Sequence, residues 1–406
     1  MLVRRIKNIA HGVEAELANA IYGFGRKQIP TIGVTGTDGK TTTTSLIFHI
    51  LKTAGFNPAM VTTVGAQIGD TTYETGLHTT TPSPFALQKY IKKASDANCD
   101  YLVLEVTSHS LDQNRTRGVD FKIGVLTNIT HEHLDYHGTY EKYARTKGRL
   151  FKRSDISLIN KDDDSYKLLK PLLSNRNVLT YSIKGPADYT SKSVGIKFPG
   201  EYDFNYENFL AAVSTAEILG IKKEMVQKAL ETFKFPKGRQ EIVYDRDFRV
   251  IIDFAHTPNS FERILPTLKK NTKGRLIHIF GAASKRDATK RPLMGHASAS
   301  HSDIIILTAE DSRNEKVLDI NTQIKLGITG FEEIDTEEAI QKNKKLLFEI
   351  SDRARAIEFA VSIAQTGDTV AITGKGHEQS MNLGHGEIPW SDHEAVEKAI
   401  KLKLTS

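Results

Sequence analysis

At residues 29–44 a short apolar run opens onto glycine, lysine and a string of threonines, IPTIGVTGTDGKTTTT. These are residue types for holding phosphate. Glycines let successive backbone N–H groups curl around phosphate oxygens, and a helix starting at the lysine points the positive end of its dipole at them. Lys40 is placed to neutralise the outer phosphates of a nucleotide, and Thr41 to offer its hydroxyl to Mg2+. Gly36, Thr37, Asp38, Gly39 and Thr42 complete the loop. The pattern departs from G-x-x-x-x-G-K-[ST], whose first glycine would fall at Val34. The bland alternative is a Gly/Thr-rich turn capping a helix, but a strand before and a helix after favour phosphate.

Further chemistry-bearing residues follow apolar runs. Glu105 ends the run in YLVLEVTSHSLDQNR, and faces the phosphate loop if the two strands are parallel neighbours, as a second Mg2+ ligand would. Read alone, it is more readily a solvated strand-end carboxylate. TNITHEHLDYHG gathers His131, His133 and His137 beside Glu132 and Asp135, without the H-E-x-x-H spacing or the cysteines of a zinc site. Lys147, in YARTKGRLF, falls on a helix, and spacing alone gives it no role. In the second half, DFAHTP, SKRDATKRPLMG, AEDSRNE and TGKGHEQ each follow a strand. Together they would ring one sheet face with Arg286, Arg291, Arg313, Lys375, His377 and Glu378, a lining for a charged substrate.

The elements that must position these residues alternate. TIGVTG, AMVTTVG, YLVLEVTS, IGVLTNIT, ISLIN, RVIIDFAH, RLIHIFGAA, DIIILTAE and TVAITGKG read as strands. Amphipathic stretches such as Thr41–Ala54 and Glu337–Gln365 read as helices between them. The alternation predicts an α/β fold with mostly parallel sheets and ligands at the strands' carboxyl ends. The length of 406 residues predicts two or three domains. FPKGRQE, with Pro236 and Gly238, suits a joint. We expect a P-loop ATPase-type central domain over 31–238, a smaller Rossmann-like domain over 239–406, and a linker over 1–30.

Composition narrows the function. With 39% hydrophobic and 26% charged residues the chain is globular, with no apolar run long enough to span a bilayer. The opening MLVRRIKNIA lacks the apolar stretch of a signal peptide, and Cys99 stands alone, so a reducing cytoplasm is expected. A net charge of +6 favours anionic small molecules. The basic residues are interspersed with acidic ones, as in IQKNKKLLFEISDRARAIEF, read as one solvated helix face, so no nucleic-acid partner is expected. DYHG and NKDD match the short DxxG and NKxD patterns of GTPase switches, which leaves a nucleotide switch as the alternative from another class.

In their order, GVTGTDGKTTTT, EVTSHSLDQNR, TNITHEHLDYHG, YARTKGRLF, FNYENFLAA, GRQE, DFAHTP, KRPLMG and GKGHEQ resemble the motif set of the Mur ligases, from about residue 20 onward. The resemblance is strongest to the tripeptide-synthetase branch. It implies ATP-dependent amide formation through an acyl phosphate, with ATP and two Mg2+ ions. By the same resemblance Lys40 and Thr41 hold phosphate and the first metal with Glu105. His133 serves the second metal, and Lys147 becomes a carbamate supporting it. Asn208, Arg239, Asp253 and His256 match nucleotide contacts, and Thr79, Thr80, Thr107 and Arg115 match contacts to a muramoyl-peptide acceptor.

For the incoming amino acid, the D-N-P-R motif of the diaminopimelate-adding branch aligns with Glu310, Asp311, Ser312 and Arg313, and Arg291, Gly374 and Glu378 also match. The departures leave meso-diaminopimelate favoured, with lysine possible. Family members carry a UDP-gripping domain before the phosphate loop, where this chain has about thirty residues. The expectation is an acceptor bound without that handle, or one presented by a separate chain. Same-fold ligases acting on folate or on a lipid-linked muropeptide are the alternatives, and a monomer is favoured.

Overall fold

The computed structural model describes residues 2–23, 28–74, 80–130, 132–198, 205–284, 287–334 and 344–405, with the side chains of 2–7 left out. Thr79, His131 and Arg286 lie outside the described residues. The chain divides into two compact units, residues 1–234 and 235–406.

In the first unit the strands are β1 (Thr31–Thr35), β2 (Pro58–Val61), β3 (Ala66–Ile68), β4 (Thr71–Tyr73), β5 (Tyr101–Glu105), β6 (Phe121–Leu126), β7 (Ser154–Asn160), β8 (Asn177–Ser182) and β9 (Tyr189–Thr190). They form one sheet in the order β4-β3-β2-β5-β1-β6-β7-β8-β9. All neighbours from β2 to β9 are parallel, and β3 and β4 add an antiparallel edge. β1 is buried at every residue, as a central parallel strand covered on both faces must be. It lies between β5 and β6, where the strand order reverses, so its carboxyl end opens at a crevice suited to a ligand.

The helix Lys40–Thr53 leaves that crevice at once. Its start at Gly39 has φ 78°, with no side-chain cap, so the first-turn N–H groups are not claimed by a capping side chain. The helix Tyr140–Phe151 is capped by Thr139, whose Oγ1 accepts from Lys142 N. Tyr143, Lys147 and Phe151 recur every four residues along its buried stripe, which carries Lys147 into the core. Residues 2–23, expected as a linker, form one helix packed on the helix Pro84–Asp96. Ala15 and Ala18 are buried, and Asn8 Nδ2 donates to Asp112 Oδ2 at 2.9 Å.

The second unit holds β10 (Glu241–Asp245), β11 (Arg249–Asp253), β12 (Leu276–Phe280), β13 (Ile304–Leu307), β14 (Glu332–Glu333), β15 (Leu346–Glu349) and β16 (Thr369–Thr373). Their order is β10-β11-β16-β12-β13-β15-β14, parallel except for β10. A hairpin of β17 (Ser380–Asn382) and β18 (Glu387–Pro389) follows.

The stretch IQKNKKLLFEISDRARAIEF is not one solvated helix, and Glu337–Gln365 is not one helical segment. Among the described residues, Leu346, Leu347 and Phe348 form a buried parallel strand, and the helix begins only at Arg353. The flanking lysines masked a three-residue apolar run that closes the sheet core beside β13. No helix among the described residues is long and apolar enough to cross a membrane.

Candidate active site

The phosphate loop is braced from below. Thr37 N donates to Asn128 O, and Thr130 N donates to Thr37 Oγ1. Asn128 grips Asp38 from both sides, its Oδ1 accepting from Asp38 N at 2.9 Å and its Nδ2 donating to Asp38 O at 3.1 Å. Thr127 Oγ1 also donates to Asp38 O. The two framing glycines are needed for this packing. A Cβ on Gly36 would run into Thr127 Oγ1, and one on Gly39 into the Asn208 carboxamide, while Gly39 also sits at positive φ. Lys40 folds over the loop, Nζ donating to Thr37 O at 2.7 Å. Thr42 is buried in the first helical turn, and Asn208 Oδ1 accepts from Thr43 Oγ1 at 3.4 Å.

Glu105 does face this loop, because β5 and β1 are parallel neighbours with Val34 opposite Glu105. Its Oε2 accepts from Thr41 Oγ1 at 3.0 Å and from both Thr63 N and Thr63 Oγ1 at 3.1 Å. Thr63, just beyond β2, was missed by sequence reasoning; the apolar run AMVTTVG ending in threonines was its signal. The pairing of a buried carboxylate with hydroxyls is an all-oxygen set suited to Mg2+.

Lys147 comes up from beneath the loop. Its side chain is buried, with Nζ 2.6 Å from Gly36 O and 4.6 Å from the centroid of the Tyr143 ring. Burial, with the Lys40 charge acting the same way, holds its pKa well below the ordinary lysine value. Tyr143 in turn reaches Thr37 Oγ1 at 3.2 Å. His133 has φ 55° and lies edge-on to His109 at 4.9 Å and near Tyr143 at 6.1 Å. His109 is driven down to about 3 by burial and by His133 and His137, so it is neutral at ordinary pH. His137 contacts Ser108 Oγ at 3.0 Å. Among the described residues no group of three His, Cys, Asp or Glu side chains forms a metal cluster by itself.

Of the expected acceptor contacts, Thr107 and Arg115 gather at the end of β5, around Thr81. Thr81 Oγ1 donates to Glu105 O and accepts from Thr107 N at 3.1 Å, while Arg115 donates from Nη1 to Thr81 O and from Nε to Gln113 Oε1. Thr80 adjoins this cluster. The fragment NKDD has a structural role. Asp163 accepts from Ile129 N and Ser165 N, and Asp162 accepts from Ser182 Oγ and Ile183 N.

In the second unit Arg239, Asp253 and His256 meet around Phe254. Arg239 lies over the Phe254 ring at 4.3 Å, and Asp253 accepts from Gln240 N at 2.7 Å and Ala255 N at 2.6 Å. His256 contacts Phe254 O through Nδ1, and Lys290 Nζ donates to His256 O. Glu310, Asp311 and Arg313 follow β13, and Gly374 to Glu378 follow β16. Asp311 Oδ1 accepts from Lys375 Nζ at 2.9 Å and from Asn382 N at 3.1 Å, while Lys375 also pairs with Glu378 at 2.5 Å. Glu310 Oε2 is buried without a hydrogen-bond partner and lies against Gly374. Burial raises its pKa, against the pull of His256, Lys290, Lys375 and Arg353. Arg313 has φ 47°, a conformation a β-carbon disfavours, and donates from Nη1 to Ser284 O.

Arg291 behaves differently. Its guanidinium is buried and forks onto both oxygens of Glu315, at 2.5 and 2.8 Å, with a further bond to Gln323. Its planar face for a carboxylate is therefore already filled within the protein.

A braced phosphate loop with a buried carboxylate beside it, on a mostly parallel sheet and followed by a second α/β unit, is the architecture of a nucleotide-dependent enzyme. Residues 34–216 match the Mur ligase middle domain, and residues 238–376 match the Mur ligase glutamate ligase domain. The chain belongs to the Mur ligase family, ATP-dependent enzymes that form amide bonds.

Within that family it is 37% identical over 412 residues to the UDP-N-acetylmuramoyl-L-alanyl-D-glutamate–2,6-diaminopimelate ligase of Clostridium botulinum, covering 95% of this chain and 81% of that protein. A solved structure of a ligase with the same name is 30% identical, with a TM-score of 0.64, over 99% of this chain and 84% of that one. The folylpolyglutamate synthase of Mycobacterium tuberculosis shares the fold at 14% identity, with a TM-score of 0.67 over 89% of this chain and 92% of that one.

Proposed function

We propose that this chain uses ATP to join 2,6-diaminopimelate, or failing that lysine, to a muramoyl-dipeptide acceptor in cell-wall precursor synthesis. One observation carries the reading. Glu105 and Thr107, two residues apart at the end of β5, reach respectively to Thr41 of the phosphate loop and to the Thr81–Arg115 cluster. Phosphate and acceptor carboxylate would thus meet at one strand end, which removes much of the entropic barrier to their reaction. The names of the similar ligases support diaminopimelate as the amino acid.

In this reading the acceptor carboxylate attacks the terminal phosphate of ATP, and the amine of the incoming amino acid then displaces phosphate from the acyl phosphate. Lys40 and the N–H groups of the first helical turn stabilise the charge that collects on phosphoryl oxygens. Thr41 and Glu105 would hold the first Mg2+, which when bound supplies further neutralisation of that charge. Asn208, Arg239, Asp253 and His256 are assigned to the nucleotide, and Thr79, Thr80, Thr107 and Arg115 to the acceptor.

His133 and an unmodified Lys147 offer no anionic oxygen for a second metal. A neutral amine, however, adds CO2 with loss of a proton to give a carbamate, and the depressed pKa of Lys147 favours the neutral amine. Glu310, Asp311, Arg313, Gly374 and Glu378 are assigned to the incoming amino acid. Arg291 belongs with them as a support through Glu315.

We assign residues 31–238 to ATP and acceptor binding and 239–406 to the amino acid and to further nucleotide contacts, in a cytoplasmic enzyme that works as a monomer. The acceptor is bound without a nucleotide handle, or with that handle held by a separate chain. Phosphate release measured with acceptor and each amino acid tests the function. Stimulation by folylglutamate instead of muramoyl-dipeptide would move it to the folate branch.

A further inference from the structure

We propose that Arg353 is a positioning residue, fixing from inside the second unit the two loops assigned above to the incoming amino acid. The inference rests on that assignment. Arg353 and Asp392 are both fully buried and form a two-pronged pair, Nε to Oδ1 and Nη2 to Oδ2, each at 2.8 Å. Asp392 is held in turn by Trp390 Nε1 at 2.9 Å. Two of the three remaining guanidinium N–H groups donate to backbone carbonyls, Thr373 O at 2.9 Å and Ala309 O at 3.3 Å.

Those carbonyls sit immediately before Gly374 and Glu310. β16 and β13, the strands that feed the two loops, are not neighbours, because β12 lies between them. Arg353 therefore spans the intervening strand and ties the loops at their roots, while the Lys375–Asp311 pair ties them further out. His278 Nε2, 3.0 Å from Thr373 Oγ1, holds the same residue from β12. A buried ion pair is a poor source of stability compared with apolar packing, so its fork geometry is the property to explain. Lysine, with three donors on a single nitrogen, cannot make the four hydrogen bonds of this arrangement.

The position has an electrostatic side. Glu310 is faced by His256, Lys290, Lys375 and Arg353, and each of these charges favours its ionised form against burial. Loss of Arg353 removes one of the four.

The test uses the full chain carrying Arg353→Met with Asp392→Leu, which replaces both charges by apolar groups, and Arg353→Lys separately. Melting temperature, KM for ATP, KM for diaminopimelate and for lysine, and the pH dependence of kcat/KM for the amino acid are measured. The expected result is a folded double variant with KM for ATP within twofold, KM for the amino acid raised tenfold or more, and the acid limb displaced to higher pH. Arg353→Lys, which keeps the charge, raises the amino-acid KM without displacing the acid limb. A folded variant with unchanged amino-acid KM and acid limb overturns the proposal.

If the double variant does not fold, wild-type amino-acid KM in Arg353→Lys overturns it instead. If wild type releases no phosphate with any amino acid, the proposed function fails. Amide exchange over 310–313 and 374–378 then decides the Arg353 inference alone. Faster exchange in both loops of the Arg353→Lys protein sustains it, and unchanged exchange overturns it.

Discussion

Lys147 Nζ lies 2.6 Å from the carbonyl oxygen of Gly36, the first glycine of the phosphate loop, although 111 residues separate them. A lysine amine is thus packed beneath the loop, in a setting that opposes its protonation. Lys147→Ala should lower ligation by about 1000-fold, the scale for loss of a group acting on transition-state charge. Added bicarbonate should not restore it. Initial rates at saturating substrates check this, and near-normal activity would remove the carbamate argument.

Thr63 anchors Glu105 through both its N–H and its hydroxyl. Thr63→Ala removes one of those bonds without touching the proposed Mg2+ ligands. The expected effect is a roughly tenfold higher Mg2+ concentration for half-maximal activity, as for loss of an outer-shell partner. Glu105→Gln should raise it further. A Mg2+ titration of ATP turnover makes the measurement.

Arg313 and Arg291 should separate experimentally. Arg313→Ala is expected to raise KM for the amino acid by about 10- to 100-fold, the worth of a charge-assisted pair, with KM for ATP unchanged. Arg291→Ala instead leaves Glu315 without its partner, and should cost about 1–3 kcal/mol of stability, discounted because Glu315 is one-third exposed. Thermal melts beside steady-state kinetics distinguish the two.

His278 is buried between Ser298 Oγ and Thr373 Oγ1, and burial drives its pKa down to about 3 from 6.5. The folded protein keeps it neutral while the unfolded chain protonates it. Its contribution is fully present above pH 6.5 and is lost as pH falls towards about 3. The slope approaches ~1.4 kcal/mol per pH unit for one proton. Denaturant unfolding of the second unit between pH 7 and pH 4 should show that loss, and His278→Gln should flatten the slope.

The parts of this protein legible in its sequence are those set by local pattern. Gly36 to Thr42 declared a phosphate loop because turn, charge and helix start fall within one short stretch. Glu105 needed only the parallel pairing of β5 with β1. Lys147 was visible only as a break in an apolar stripe, a charge spaced four residues from both Tyr143 and Phe151. Sequence spacing cannot tell such a residue from a surface lysine, since only the packing of its helix decides. β15 was hidden because a three-residue apolar run between charged residues also fits a helix. Arg353 and Asp392, 39 residues apart, gave no local signal, and the further partners of Arg353 are backbone carbonyls that any residue would supply.

The most direct test of the account is phosphate release from ATP, measured with muramoyl-dipeptide, both UDP-linked and UDP-free, against a panel of amino acids. The account predicts release that requires the acceptor and is selective for diaminopimelate or lysine. No stimulation by any acceptor and amino-acid pair would contradict it.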